Sequence, residues 1–194
     1  MESTNQGSAY MKITEIEALP VSASKDYPWA VIVVLVRTDE GLTGIGEASL
    51  AGRGRGVLGI IDHARDLLIG KDPAHIEHHW AELVHGTFWS TGQVVMSAVA
   101  GIDIALWDLK GKALGVPVYQ LLGGQTRDHV ECYSTGYPHR GTPGEVARAC
   151  VEAGFRAYRI STDTPGPVMD RFDTVNRVYE LCRQVREGCG RDGG

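Results

Sequence analysis

Two histidines in this sequence have a spacing that could hold a metal ion. His75 and His79 lie four residues apart, so a helix would place them one turn apart on the same side. The H-E-x-x-H motif of zinc peptidases is absent, however, and Trp80 and Leu83 would occupy the buried face of such a helix. We therefore predict that these histidines lie at the surface and bind no metal.

Two carboxylates, Asp103 and Asp108, stand among apolar residues further along the chain. Paired carboxylates can serve as general acid and base. Five residues apart on a helix, these two do not share a face, so acid–base catalysis is not favoured. We predict a capping or ion-pairing role instead, for example between Asp108 and Lys112 one turn later.

Arg53 and Arg55 alternate with glycines in residues 50–56. This segment lacks the G-x-x-x-x-G-K-[ST] motif of phosphate-binding loops and does not lie in a βαβ unit, which excludes nucleotide binding there. Two interpretations remain open: a flap that contacts an anion or a substrate, and a flexible solvated loop. A second loop, residues 86–92, displays the aromatic residues Phe88 and Trp89.

The elements that must position these residues fall into two groups. In the first group, apolar alternation and β-branched residues predict three strands joined as an antiparallel meander, with a hairpin turn that contains Gly41. Helices follow, the second of them capped by Asp72 and started by Pro73. The predicted strands are residues 11–19, 29–38 and 42–49, and the predicted helices are residues 57–68, 73–84 and about 95–114.

The last of these helices is the longest and is expected to form a wall between the two groups. Gly115 should end it, and Pro117 cannot continue it. Ile104 and Trp107 widen its apolar surface, so we expect the helix to be covered on more than one side.

After residue 124 the pattern changes to strand, helix, strand, helix, which is typical of parallel βα units. Thr142 and Glu145 form a predicted capping box at the start of the first helix, and Gly154 ends that helix. The predicted strands are residues 130–134 and 155–161, and the predicted helices are residues 143–153 and 169–187.

Composition restricts the classes of function. The 194 residues are 43% hydrophobic and 22% charged with a net charge of −5, which is ordinary for a globular protein and argues against a nucleic-acid surface. No apolar run approaches the roughly 20 residues of a membrane span. Residues 1–10 are expected to be a disordered tail. Four cysteines without a C-x-x-C motif are typical of reduced thiols in the cytoplasm.

Residues 101–124 carry the most specific pattern, Gly-Ile-Asp-Ile-Ala-Leu-Trp-Asp-Leu-Lys-Gly-Lys-Ala-Leu-Gly-Val-Pro-Val-Tyr-Gln-Leu-Leu-Gly-Gly. Together with shorter matches at residues 38–47 and 154–159, it resembles the mandelate racemase/muconate lactonizing group of the enolase superfamily. The resemblance implies an α+β capping domain at residues 11–124, formed by the meander and its helices. Residues 125–194 would be the first two βα units of a (β/α) TIM-type barrel, which is incomplete because such a barrel needs eight.

The resemblance also implies a type of chemistry. Enzymes of this group use a Mg²⁺ ion that stabilises the enolate formed when a proton is removed next to a carboxylate. Their three carboxylate ligands stand at the ends of the third, fourth and fifth barrel strands, so we expect the ligands beyond residue 194 and no metal site in this chain. On this interpretation the chain is the N-terminal part of a longer enzyme and is inactive alone.

Where many relatives carry two lysines on the second barrel strand, this sequence has Arg159 and Ser161. Arginine stays protonated near neutral pH and is a poor base, which disfavours a racemase, an epimerase or a cycloisomerase. An arginine at this place resembles the acid-sugar dehydratases of the mannonate and gluconate type. The resemblance therefore implies a lyase that dehydrates a sugar acid, with Arg159 catalytic and Ser161 near the substrate.

The tyrosine base of those dehydratases has no counterpart in residues 162–168. Their histidine after the first strand falls on Tyr133, which would contact substrate, and an asparagine of their capping flap falls on Ala51. Tyr137 and His139 follow the first strand, at the end of a barrel where active sites lie. They are therefore the candidates for a catalytic role beside arginine, and a plain loop role is the alternative.

In the same resemblance, residues 22–28 and 50–57 close over the substrate. Arg53 or Arg55 would bind a sugar-acid carboxylate in a fork, and Trp89 would line the cavity or pack between domains. The full-length enzyme would be a homo-oligomer with a small-molecule sugar acid as its partner, and with neither nucleic acid nor membrane. A non-catalytic remnant or interaction module is the alternative from another class.

Overall fold

The computed structural model describes residues 10–22, 31–88, 91–135, 140–160 and 171–190. The chain divides into two compact units, Met1–Thr126 and Arg127–Gly194. Within the described ranges, the first unit contains the strands β1 (Ile13–Val21), β2 (Val31–Thr38) and β3 (Thr43–Glu47) and the helices α1 (Gly54–Leu68), α2 (Ile76–His85), α3 (Gln93–Leu114) and α4 (Val118–Leu121). The second unit contains α5 (Pro143–Glu152) and α6 (Arg171–Cys189). None of these helices is both long enough and apolar enough to cross a membrane.

The three strands form one antiparallel sheet in the order β1, β2, β3. Val34 of the central strand pairs with Ala18 on one side and with Gly46 on the other. The predicted meander is confirmed, as is its hairpin turn, in which Gly41 has a φ of 80°. β1 continues past Pro20 because it is an edge strand of the described sheet, where a residue without an N–H group is tolerated.

The helix α3 is the central element of the first unit and packs on β2 and β3. Its buried side chains include Ile102 and Leu106, which belong to the core. The contact is close because two glycines meet: a Cβ atom on Gly46 would overlap the carbonyl oxygen of Gly101. The helix ends as predicted at Gly115, whose φ is 68°. Other large side chains of this core are Ile13, Ile16, Ile32, Val34, Val36, Ile61 and Leu68.

The helix α1 begins at Gly54, three residues earlier than predicted. The carbonyl oxygen of Arg53 accepts hydrogen bonds from the N–H groups of Gly56 (2.9 Å) and Val57 (3.3 Å), so the glycine–arginine segment forms the first helical turn. The prediction of a loop through residue 56 is therefore wrong. Glycine lowers helix propensity, but the fully buried Val57 holds this turn against the core and overrides that preference.

The other end of α1 is fixed to β1. Arg65 Nε donates to the carbonyl oxygen of Ile16 at 2.6 Å. Just beyond the helix, the N–H of Gly70 donates to the carbonyl oxygen of Ile13 at 2.8 Å. The N–H of Ile13 in turn donates to the carbonyl oxygen of Lys71 at 2.9 Å. Because Leu68 is also fully buried, this end of the helix is held by both packing and hydrogen bonds.

The helix α2 begins at Ile76 and not at Pro73. Asp72 Oδ1 accepts a hydrogen bond from the N–H of Ala74 at 2.8 Å, and its carbonyl oxygen accepts one from the N–H of His75 at 3.4 Å. These bonds close a separate turn before the helix, so the prediction of Asp72 as the helix cap is wrong. An Asp-Pro pair starts turns as well as helices, and here it starts a turn.

The side of α3 that faces away from the sheet is only partly covered. Ile104 is 48% exposed. Trp107 packs partly against the core, and the Lys110 ammonium lies 5.2 Å from the centroid of its ring. Because α1 and α2 also contact α3 beside the sheet, the expectation that more than one side of the helix is covered is confirmed.

In the second unit, α5 starts with the predicted capping box. The hydroxyl oxygen of Thr142 accepts from the N–H of Glu145 at 3.4 Å, and Glu145 Oε2 accepts from the N–H of Thr142 at 2.8 Å. Gly154 follows the end of the helix with a φ of 89°, as predicted. α5 contacts α6 closely at Gly144 and Gly188, where neither backbone leaves room for a Cβ atom.

Neither predicted strand of the second unit forms within the described ranges. One parallel bridge joins Ser134 and Tyr158. Its hydrogen bonds run from the N–H of Ser134 to Ala157 (3.0 Å) and from the N–H of Arg159 to Ser134 (2.7 Å). The direction of the bridge agrees with a βα unit. A longer parallel ladder requires further paired strands and helices packed on both faces of the sheet. Among the described residues, the segments around Ser134 and Tyr158 pair only with each other.

Candidate functional site

A cleft of about 610 Å³ opens beside the start of α1. Its walls come from the end of β1, the start of β2, the loop after β3 and the first turns of α1. The lining side chains are mainly apolar, with two arginines among them: Pro20, Ile32, Leu50, Leu58, Arg53 and Arg55. A cleft of this size, apolar with a few polar groups, is suited to a small organic molecule.

Two guanidinium groups give this cleft its charge. Arg53 directly precedes α1 and Arg55 lies in its first turn, and both are exposed. Neither takes part in an ion pair among the described residues. The first turn of α1 carries no acidic residue, so the positive end of the helix dipole adds to the two charges. The arrangement attracts an anion, and a carboxylate can accept two parallel hydrogen bonds from one guanidinium.

Two polar side chains hold the loop between β3 and α1. Ser49 Oγ accepts a hydrogen bond from the N–H of Ile32 at 3.0 Å, and Glu47 Oε1 accepts one from the N–H of Ser49 at 3.0 Å. These bonds tie the loop to β2 and thereby place Ala51 at the cleft, where its side chain offers no hydrogen bond. Neither Ser49 nor Glu47 is a predicted site residue, although polar residues at a strand end next to glycines often fix a turn.

In the second unit, Tyr133 and Arg159 share one face of the bridge between Ser134 and Tyr158. Successive side chains of extended segments point to opposite faces. Ser134 is buried and accepts a hydrogen bond from the thiol of Cys150 in α5 at 3.1 Å, so it faces the helices. Tyr133 and Arg159 face away from the helices, and both are exposed. The structure thus brings these two predicted site residues to the same face.

Tyr158 occupies the opposite face, beside α5 and α6. Burial raises the pKa of Tyr158 above its usual value, and the nearby thiols of Cys150 and Cys189 raise it further. The hydroxyl is therefore protonated at neutral pH and can donate a hydrogen bond but cannot act as a base. Cys132, Cys150, Cys182 and Cys189 are all free thiols.

The histidines of α2 form no metal site within the described ranges. His79 is 1% exposed, so the prediction that it lies at the surface is wrong. Its Nε2 lies 2.7 Å from the carbonyl oxygen of Asp72 and must carry the proton, whereas the buried Nδ1 has no partner among the described residues. Burial lowers the pKa of His79. Across the described part of the chain, no three His, Cys, Asp or Glu side chains come together as possible metal ligands.

Asp108 forms the predicted ion pair with Lys112, at 2.7 Å. Asp108 Oδ2 also accepts from the N–H of Ile45 at 2.8 Å, and Lys112 Nζ donates to the carbonyl oxygen of Thr43 at 2.8 Å. The pair therefore fixes α3 to β3. Asp103 has no such contact: burial raises its pKa, and the negative charge of nearby Glu77 raises it further.

The remaining predicted site residues lie outside the described ranges, namely Trp89, Tyr137, His139 and Ser161. Phe88, which precedes Trp89, is 91% exposed. Among the described residues, the predicted site residues therefore form two separate pairs: Arg53 and Arg55 in the first unit, and Tyr133 and Arg159 in the second.

Known proteins resemble this chain over most of its length. Residues 17–123 match the family described as mandelate racemase / muconate lactonizing enzyme, N-terminal domain. The chain is 44% identical over 172 residues to a D-mannonate dehydratase from Rhizorhabdus wittichii and 39% identical over 183 residues to a D-galactonate dehydratase from Pectobacterium atrosepticum. These matches cover 87% and 93% of the chain but 42% and 46% of the relatives. The chain thus spans less than half the length of either relative.

A solved structure shows the same likeness. A member of the enolase superfamily from Salmonella Typhimurium matches with a TM-score of 0.80 at 30% sequence identity. The match covers 94% of this chain and 53% of the other. An identity of this size together with a high TM-score supports common descent as well as a common fold.

Proposed function

The chain belongs to the mandelate racemase/muconate lactonizing enzyme family of the enolase superfamily, and on this premise we propose that it acts in the dehydration of a sugar acid. Its sheet and helices are those of the N-terminal capping domain of that superfamily. The relatives named as dehydratases of D-mannonate and D-galactonate support the reaction type. Each of those substrates is a polyhydroxylated carboxylate.

The observation that carries the proposal is the charged rim of the cleft beside α1. Arg53 and Arg55 are exposed, unpaired among the described residues, and placed at the positive end of a helix. A sugar acid offers one carboxylate for a guanidinium and a carbon chain for the apolar wall formed by Leu50 and Leu58. On this proposal, the two arginines bind the substrate from the capping domain, together with Trp89.

Arg159, in the second unit, supplies positive charge for the chemical step of the proposed reaction. When the proton next to the carboxylate leaves, negative charge develops on the substrate, and a fixed guanidinium stabilises that charge. Because arginine stays protonated, another group must take the proton. We assign that role to Tyr137 or His139, and we place Tyr133 and Ser161 beside the substrate. The proton that this group has taken then passes to the hydroxyl on the next carbon, which leaves as water, and the resulting enol tautomerises to a 2-keto-3-deoxy acid.

Mg²⁺ is the metal that we propose for the complete enzyme, as in the superfamily. It would supply positive charge at the substrate carboxylate. The described residues do not fit this ion, because no three candidate ligands come together in them. We therefore assign no ligand to this chain and place the ligands beyond residue 194.

The assay uses the protein translated from the reading frame through to its stop codon. The purified protein is incubated with a panel of aldonic acids in D₂O, with Mg²⁺ or with EDTA, and followed by proton NMR. We expect a 2-keto-3-deoxy acid to form from one or a few of the acids, and only with Mg²⁺. Exchange of the α-proton without loss of water would instead support a racemase or an epimerase, and neither reaction would support a non-catalytic protein.

The role of Arg159 is tested by Arg159→Met. We expect kcat to fall by about 100-fold or more, the loss typical of one charge-stabilising group. Arg156→Met is the matched control, since Arg156 is also exposed and lies three residues earlier, with Glu131 at 3.3 Å. Equal activity of the two variants would remove Arg159 from the proposed site.

Two further features of the complete enzyme belong to this proposal. We place it in the cytoplasm, because its free thiols suit a reducing compartment. We also propose that it is a homo-oligomer.

A further inference from the structure

A buried thiol that the proposed reaction does not use, Cys150 of α5, lies on the helix side of the bridge that carries Arg159. Cys150 is 1% exposed, and its Sγ donates to Ser134 Oγ at 3.1 Å. Together with Tyr158 it also borders a small cavity of about 50 Å³. Ser134 and Tyr158 are the two residues that the bridge joins. One side chain of α5 therefore lies beside both segments of the bridge.

The backbone of Ser134 makes both hydrogen bonds of this bridge. Its N–H donates to the carbonyl oxygen of Ala157 at 3.0 Å, and its carbonyl oxygen accepts from the N–H of Arg159 at 2.7 Å. Successive side chains of an extended segment point to opposite faces, so a shift of the pairing by one residue would turn Arg159 toward the helices. The position of Ser134 therefore sets both the height and the facing of Arg159.

The helix that holds Ser134 from below is itself fixed. α5 starts in its capping box, and at Gly144 its backbone packs directly on that of α6. Val146 and Ala147, one turn before Cys150, are buried as well. A buried hydroxyl needs hydrogen-bond partners, so the thiol gives Ser134 a reason to stay in place. The hydrogen bond from Cys150 thus ties the bridge to a fixed point of α5.

We propose that Cys150 is a positioning residue, which holds the Arg159 guanidinium on the face away from the helices by anchoring Ser134. The inference rests on the proposed function, in which Arg159 stabilises the negative charge that develops as the proton leaves. A group of this kind acts because it is fixed beforehand, and a displacement of about 1 Å lowers the rate by up to about 100-fold. The alternative is a purely structural role, since a buried cysteine also packs as a small hydrophobic residue.

Kinetics of the protein translated through to its stop codon, with an acid that it dehydrates, separate these two roles. Cys150→Ala removes the donor to Ser134 and keeps a small apolar side chain. We expect kcat to fall about 10-fold with KM nearly unchanged, because the charge that Arg159 stabilises exists only in the transition state. Cys150→Ser restores a donor and should return kcat to within about 2-fold of the native value. Cys182→Ala, at an exposed thiol of α6, is the matched control and should leave both constants unchanged.

A double-mutant cycle with Arg159→Met shows whether Cys150 acts through the arginine. If it does, adding Cys150→Ala to Arg159→Met lowers kcat no further, because the guanidinium that the thiol positions is gone. Equal losses in both backgrounds would show a purely structural role and overturn the proposal. A native kcat in Cys150→Ala, or a loss that Cys150→Ser does not restore, would overturn it too.

Amide hydrogen exchange of residues 155–160, followed by mass spectrometry, provides a readout that needs no activity. The N–H of Arg159 in this segment bonds to Ser134, so its exchange reports on the bridge. We expect Cys150→Ala to speed the exchange at least about 10-fold and Cys150→Ser to restore it, with α3 in the other unit as an unchanged internal reference. Native protection in Cys150→Ala overturns the inference. The expected exchange in a protein that dehydrates none of the acids would instead overturn the proposed function alone, because it leaves the anchor of Arg159 in place.

Discussion

His79 shows how strongly one side chain depends on its surroundings. Its Nε2 donates to the carbonyl oxygen of Asp72, and its bare Nδ1 is buried without a partner among the described residues. Protonation would place a charged N–H group where no acceptor is described. The nearby ammonium of Lys71 also disfavours that charge, while Glu82, which pairs with Lys71 at 2.6 Å, offsets part of the effect. The folded protein therefore favours neutral His79.

This preference predicts that the protein loses stability as the pH falls below about 6.5. In the unfolded chain the histidine has its ordinary pKa of 6.5 and takes up a proton below that pH, whereas folding lowers the pKa and delays protonation. Stability is thus retained above pH 6.5 and falls by at most about 1.4 kcal/mol per pH unit below it. Urea unfolding at pH 7.5, 6.5 and 5.5 measures the slope.

The contribution of His79 is isolated by His79→Gln, which keeps a donor for Asp72 but does not titrate. We expect a flatter dependence of stability on pH in this variant. His63→Gln, at an exposed histidine of α1, is the control and should leave the native slope unchanged. The interpretation fails if both variants show the same slope.

Residue types do not indicate burial reliably. Arg53 and Arg55 can be selected from the sequence as candidates because a guanidinium binds a carboxylate in a fork, and the structure places both at a cleft. His79 cannot be placed in the same way, because the sequence assigns the buried face to Trp80 and Leu83. Since α2 starts at Ile76, the residue three positions later turns inward and Trp80 is only half-buried.

At the scale of elements, α3 and β3 pack so closely that their backbones are in direct contact, because glycines at the contact carry no side chain. We expect Gly46→Ala to lower the free energy of unfolding by about 2 kcal/mol, because the added methyl group overlaps the carbonyl oxygen of Gly101. Gly59→Ala is the matched control. That position lies in α1 with no atom within 4 Å of the added group, so it should raise stability by about 0.5–1 kcal/mol. Thermal unfolding followed by circular dichroism compares the two, and equal effects would contradict the role of the close contact.

The elements of the first unit follow from local patterns to a large extent. The β-branched run of β2 and the glycine after α3 mark their elements because burial and backbone geometry select those residues directly. Helix starts are less predictable. Gly54 begins α1 despite its low propensity, and Asp72 begins a turn instead of α2, because tertiary packing and competing local hydrogen bonds decide both. The strands of the second unit cannot be predicted from local sequence alone, because a parallel strand forms only when neighbouring strands are present to pair with it.

At the scale of the whole molecule, buried side chains are distributed unevenly between the two units. The main core lies entirely in the first unit. Among the described residues of the second unit, the buried side chains are Ser134, Val146, Ala147 and Cys150. Meanwhile α6 leaves Phe172 and Tyr179 85% and 71% exposed. Since apolar burial is the main source of stability, the second unit is the weaker one.

We therefore predict that the second unit opens first. Amide hydrogen exchange followed by mass spectrometry should show α5 and α6 exchanging at least about 10-fold faster than α3 after correction for intrinsic rates, because local stability follows buried apolar contacts. α1 serves as the internal reference, since it is amphipathic like α5 but belongs to the main core. Protection of α6 equal to that of α3 would show that the chain unfolds as one body.

The helix α1 also determines how the cleft can change its width. It carries Arg55 at one end and is anchored to β1 at the other, through Arg65 and the residues just after the helix. Its 15 residues make a rod about 22 Å long. Val57 near the arginine end and Leu68 near the β1 end are both fully buried, so packing holds the rod at both ends. The rim of the cleft is therefore a fixed edge of the main core, and its width can change only if the whole helix moves.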